Sequence, residues 1–141
     1  MIRGIYIEYI DIDRDYVRLR VTASNGMFSG SVAIYADISA LSDAAVKLTG
    51  FPRKSLDQCM LEFGTFQAGY AGGGVRMIFK CIDGAGHIQL QLKMESDHNE
   101  DIPSQSVSLL LPIEAASIDT FVHELTTMDA DRKATATLLS Y

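Results

Sequence analysis

The run His87–Glu95, HIQLQLKME, alternates without a break: Ile88, Leu90, Leu92 and Met94 fall on one side, Gln89, Gln91, Lys93 and Glu95 on the other. A period of two fits an extended strand with one buried face and one wet face, and no helix can satisfy it. The same constraint recurs along the chain. In YVRLRVTA, Val17, Leu19 and Val21 oppose Arg18 and Arg20. IRGIYIEYID reads as a first strand that ends in the charged bend Asp11–Asp15. MFSGSVAIYA puts Phe28, Gly30, Val32 and Ile34 on one face. VRMIFKCID does the same with Val75, Met77, Phe79 and Cys81, and SVSLLLPI with Val107, Leu109 and Leu111, ending at Pro112. DQCMLEFG adds a further strand, and KATATLLSY a short final one.

Turn residues join these runs. Asn25-Gly26 is a hairpin signal, because both residues tolerate positive φ. Asp83-Gly84-Ala85-Gly86 precedes an alternating strand. Phosphate-cradling glycine loops precede a helix, whose N-terminus supplies the aligned N–H groups. These glycines are therefore read as a hairpin turn. The run AGGG, Ala71–Gly74, reads as a flexible loop between strands. Two segments switch to helical spacing: Ile38, Leu41, Ala45 and Leu48, with Asp37 or Ser39 as cap and Gly50 and Pro52 as stop, then about Glu114 to Met128, with Ile118, Phe121, Val122, Leu125 and Met128 as its stripe. Phe51 is expected to fold back onto the core. Strands predominate and tight turns join several of them. The prediction is a single α+β domain over residues 1–141: a mainly antiparallel sheet of about seven to eight strands with two helices packed against it.

Charge and cysteine content bound the function. The 141 residues carry 18 acids against 12 bases, a net charge of -6, which disfavours nucleic acid and anionic membrane as partners. Cys59 and Cys81 sit in apolar runs, as buried thiols do in a reducing compartment. The first residues lack the apolar centre of a signal peptide, and no run reaches the roughly 18 apolar residues of a membrane helix, so the cytoplasm is the expected location.

Catalytic motifs do not assemble. The serine of GMFSG falls one place too late for a nucleophile elbow. Asp11, Asp13 and Asp15 alternate as at the start of a calcium loop. Tyr16 then stands where glycine is required, and Thr22 where a bidentate glutamate is required. The second acidic cluster, ESDHNED, holds Asp97, His98, Glu100 and Asp101 in what reads as an exposed loop. The histidines, His87, His98 and His123, have no zinc spacing. His87 begins an outward-facing set and is read as having neither a nucleophile nor a carboxylate near it in sequence. Tyr6, Tyr9 and Tyr35 either offer aromatic surface to a partner or pack at the core and its rim. No catalytic residue, metal ligand or cofactor is expected from these patterns.

Three segments taken together resemble a known family: GMFSGSVAIYADISALSDAAVKLTGFP, LEFGTFQAGYAGGGVRMIFKCIDGAGHIQLQLKME and SVSLLLPIEAASIDTFVHELTTM. A strand with F-x-G, a helix ending in F-P, an E-F-G strand, a G-H-I strand, S-V-x-L-x-L-P and a last helix with F-V-x-x-L follow in the order of the WapI-type bacterial immunity proteins and their uncharacterised relatives. The likeness spans about residues 26–128 and rests on core and turn residues. It implies a non-enzymatic role, the binding of a secreted protein toxin such as a basic nuclease domain, and transfers no site residue. Asp11, Asp13, Asp15, Asp97, Glu100 and Asp101 are the candidate partner-binding residues on charge alone. Two other readings stand beside it. One is a small hydrolase or metal-dependent enzyme built on His87, His98 and nearby carboxylates. The other is a structural module that associates through a sheet face or edge.

Overall fold

The structure is a computed structural model that describes residues 2–97 and 101–141. Its elements are β1 (Gly4–Ile12), β2 (Tyr16–Ser24), β3 (Ser29–Asp37), α1 (Ala40–Leu48), β4 (Gln58–Gly64), β5 (Gly74–Cys81), β6 (His87–Glu95), β7 (Ser106–Glu114), α2 (Ala115–Ala130) and β8 (Ala136–Leu139). This is the α+β architecture that the alternation demands. All strand pairs are antiparallel, in two four-stranded sheets ordered β3-β2-β1-β8 and β4-β5-β6-β7.

The division into two sheets has a physical reason. Eight strands side by side make a sheet about 38 Å wide. Two helices, each about 10 Å across, cover only about half of that. Two sheets share the burden, because their apolar faces meet in one core. Ile7, Leu19 and Ile34 of the first sheet and Met77, Leu90 and Leu111 of the second are all fully buried. The helices pack on each other, with α1 also reaching β4 and α2 reaching β7 and β8. Leu41, Ala44, Ala45 and Leu48 form the buried stripe of α1, and Ile118, Phe121, Leu125 and Met128 that of α2. Phe51 turns back as expected, edge-on to Phe79 at 6.1 Å between ring centres.

Several local expectations change. Ile38 lies before α1 and is exposed, and Phe28 sits in the β2–β3 turn, also exposed. Pro112 does not end β7. It lies inside the strand on the sheet's edge, where its missing N–H breaks no ladder bond. β1 runs on to Ile12 because a bulge between Tyr9 and Asp11 shifts the register. The bulge returns Ile12 to the core side and leaves Asp11 opposite Arg18. The AGGG segment is no loose loop, since Gly72, Gly73 and Gly74 are buried. A Cβ on Gly73 would stand 2.2 Å from the Glu95 carbonyl oxygen, and the Gly73 amide donates to the Ala33 carbonyl at 3.1 Å. Glycine is required there because the start of β5 is pressed between β6 and the edge of β3.

Candidate functional site

The β1–β2 turn carries Asp11, Asp13 and Asp15. Asp11 Oδ1 accepts from the Ile12 amide at 2.8 Å, and Asp13 Oδ1 from the Arg14 amide at 2.6 Å. These bonds fix the bend locally, as aspartate does in turns. Tyr16, the first residue of β2, lies on the outer face opposite Asp37. Its ring meets Tyr35 edge-to-face, with centres 5.7 Å apart. The Asp13 carboxylate raises the Tyr16 pKa, first by accepting from the phenol and then by its charge.

Next to these rings the two sheets leave a cleft of about 350 Å3, lined by Tyr16, Tyr35, Asp37, Glu62, Phe63 and Gly64 among others. β3 supplies Tyr35 and Asp37, and β4 supplies Glu62. Glu62 Oε2 is held by Arg76 Nε at 3.0 Å, and the Arg76 guanidinium stands 4.7 Å from the centre of the Phe66 ring. The Arg18 guanidinium lies 5.3 Å from the centre of Tyr35, and its Nε is buried without a hydrogen-bond partner among the described residues. Arg76 offsets Glu62 and Arg18 already lies against Tyr35, so the attraction for a further cationic side chain rests on Asp37 together with the nearby Tyr16 ring. The carboxylate attracts it through charge, and the ring face adds about 0.5–2 kcal/mol as it is desolvated.

The candidate acids do not form one patch. The β1–β2 turn lies beside Asp37, at the end of β3. The β6–β7 connection, with Asp97 and Asp101, leaves the strand ends where Met94 and Val107 sit under Gly30, near the start of β3. Seven residues of strand separate those positions, about 23 Å. The connection is closed at its neck, where the Ser96 amide donates to the Gln105 carbonyl at 2.8 Å and the Gln105 amide to Ser96 Oγ at 2.8 Å. Glu100 and His98 lie outside the described residues.

His87 does have a carboxylate beside it, contrary to the expectation above: Asp83, four residues earlier in the chain. His87 Nδ1 lies 2.6 Å from Asp83 Oδ2. Asp83 Oδ1 accepts from the Ala85 and His87 amides at 2.9 and 3.2 Å. These bonds lower the Asp83 pKa, with the His87 side chain the largest cause. They also shape the hairpin turn, in which Gly86 takes a φ of 83°. The pair stands half-exposed, whereas Cys81 is buried and its Sγ donates to the Asp83 carbonyl at 3.1 Å. Burial raises the pKa of Cys59, the other thiol, which keeps it protonated. Among the described residues no group of three or more His, Cys, Asp or Glu side chains is arranged to hold a metal.

Of the tyrosines, Tyr6 and Tyr35 lie on the outer face, whereas Tyr9 points inward and donates to the Met128 carbonyl at 2.8 Å, capping the last turn of α2. Sequence reasoning missed Tyr16, Asp37 and Glu62 as site residues. The outward phase of Tyr16 and Tyr35 on neighbouring strands was the available signal. No described helix is long and apolar enough to cross a membrane. The chain matches no protein-family model, no curated protein and no solved structure.

Proposed function

We propose that this chain is a non-enzymatic bacterial binding protein that covers a basic surface on a partner, as an immunity protein covers a secreted toxin. The observation that carries the reading is the cleft between the sheets, where Tyr16, Tyr35, Asp37 and Glu62 converge beside the Asp11–Asp15 turn. Tyrosine and arginine dominate the energetics of many protein interfaces, and a tyrosine-lined pocket with the Asp37 carboxylate at its wall is the complement of an inserted arginine. A net charge of -6 adds long-range attraction to a basic nuclease domain and speeds encounter. Blocking such a domain needs only that carboxylates occupy the place of substrate phosphates.

The test is protection. The chain is co-expressed with any product of a neighbouring gene that arrests growth when expressed alone, and survival is scored for the native protein and for a Tyr35→Ala, Asp37→Lys variant. Rescue by the native protein and its loss in the variant are the expected results. Equal rescue by both would remove the cleft from the account. The Asp83–His87 pair is the observation that favours a hydrolytic second reading, because a carboxylate that orients an imidazole is a general-base arrangement. His87→Ala separates the two: binding predicts full protection, hydrolysis predicts none.

A further inference from the structure

A free sheet edge is a hazard that folded proteins guard, because its unpaired N–H and C=O groups template another strand. The two sheets have four edges, β3, β8, β4 and β7. Each carries at least one bond from outside its own sheet. Gly73 donates its amide to Ala33 of β3 at 3.1 Å. Glu124 Oε1 accepts from the Thr137 amide of β8 at 2.8 Å. Lys47 Nζ donates to the Met60 carbonyl of β4 at 2.8 Å.

On β7, among the described residues, these bonds fall only near the C-terminal end, at Pro112. The Pro112 carbonyl of β7 accepts from the Tyr141 amide at 3.3 Å and from Ser140 Oγ at 2.8 Å, so residue 112 turns its backbone away from β6. The register of β7 on β6 is unbroken from Glu114 to Ser106. Backbone direction alternates along an antiparallel strand, so Ser106, Ser108 and Leu110 also point their N–H and C=O groups outward. All three residues are exposed, and among the described residues no backbone group bonds to these outward positions. Nothing charged guards the edge either: from Ile102 to Ile113 the chain has no Asp, Glu, Lys or Arg, within a protein of net charge -6. Leu110 adds an apolar side chain that is 54% exposed.

We propose that this edge pairs with the same edge of a second copy, joining two four-stranded sheets into one antiparallel sheet of eight. The strand complements itself. A two-fold axis at Ser108 sets Ser108 against its equivalent and Ser106 against Leu110 of the other copy. Each outward residue then exchanges two hydrogen bonds, six in all. Pro112 limits the register, because it has no N–H to offer and its carbonyl is already taken. The second copy is favoured over an acidic or basic peptide because the strip presents no charge to recognise and sets no like charges opposite each other across the axis. The inference does not depend on the cleft. Its salt dependence also has the opposite sign: two bodies of charge -6 repel, so added salt strengthens this pairing while weakening attraction to a basic partner.

The experiment combines sedimentation equilibrium with amide exchange, from low micromolar to millimolar protein. Dimer formation is expected to rise with concentration and salt, and the Ser106, Ser108 and Leu110 amides should become protected in step. Ser108→Pro removes an outward N–H that makes no bond to β6. It is expected to weaken the dimer about a hundredfold, through two lost hydrogen bonds. Leu110→Lys, at an exposed position, serves as the second variant if proline disturbs the fold, and should also give monomer. A protein that stays monomeric at millimolar concentration overturns the proposal. So does a dimer that survives both substitutions, or an edge that takes up an unrelated extended peptide and not its own copy.

Discussion

Two hairpin turns of this molecule are made with aspartate and use it in different ways. In the β5–β6 turn, Asp83 has both oxygens engaged, by two amides and by His87. Its charge is absorbed in shaping the bend. In the β1–β2 turn, Asp11 and Asp13 each use one oxygen on the next amide, and Asp13 also acts on the Tyr16 phenol at the mouth of a cleft. The same residue type is scaffolding in one place and accessible charge in the other. The distinction lies in how many donors surround each carboxylate, which residue counts do not reveal.

The comparison can be broken most decisively at the cleft. Tyr35→Ala removes the ring that Tyr16 and Arg18 both rest on. Loss of partner affinity by about thirtyfold or more is expected, the size of an interface hot spot, and calorimetry with a basic nuclease domain of the proposed class reads it. Asp83→Asn should leave that affinity unchanged. Its effect falls on stability and has a defined pH window. The folded pKa of Asp83 is lowered, so its contribution is fully present above the unfolded carboxylate value, about 3.9, and is lost as pH falls through the lower folded value. Denaturant titrations of the native and Asp83→Asn proteins should therefore differ at neutral pH and converge in strong acid.

Smaller effects sharpen the contrast. Tyr9→Phe removes the hydroxyl that caps α2 and should cost about 1 kcal/mol of unfolding free energy, without touching affinity. The smallest expected signal is alkaline. The folded pKa of Tyr16 is raised, so its hydrogen bond contributes below the ordinary tyrosine value near 10 and is lost as pH rises through the raised one. Ultraviolet titration should show Tyr16 ionising late, and Asp13→Asn should bring it earlier.

Much of the scaffold was legible in the chain, because its rules are local. Alternation in HIQLQLKME and YVRLRV gave β6 and β2, and the stripe Ile118, Phe121, Leu125 gave α2. The second sheet was hidden because side-chain period tells which face is buried and not which strand lies opposite. Pro112 misled for a related reason: proline ends a central strand but is tolerated on an edge, and edge position is a property of topology. The cleft was less legible still. Asp37 and Glu62 are neighbours only because β3 is laid against the start of the second sheet, a contact fixed by Gly73. The Asp83–His87 pair was written plainly four residues apart, yet a search for nucleophiles passes over it.

The central claim is that accessible carboxylates at the tyrosine cleft steer a basic partner. Stopped-flow association with a basic nuclease domain of the proposed class, run across a salt series, tests it most directly. The account predicts a rate that falls steeply with salt for the native protein, and a slow, nearly flat rate for the Asp13→Lys, Asp37→Lys variant. Superimposable salt profiles for the two proteins would contradict it.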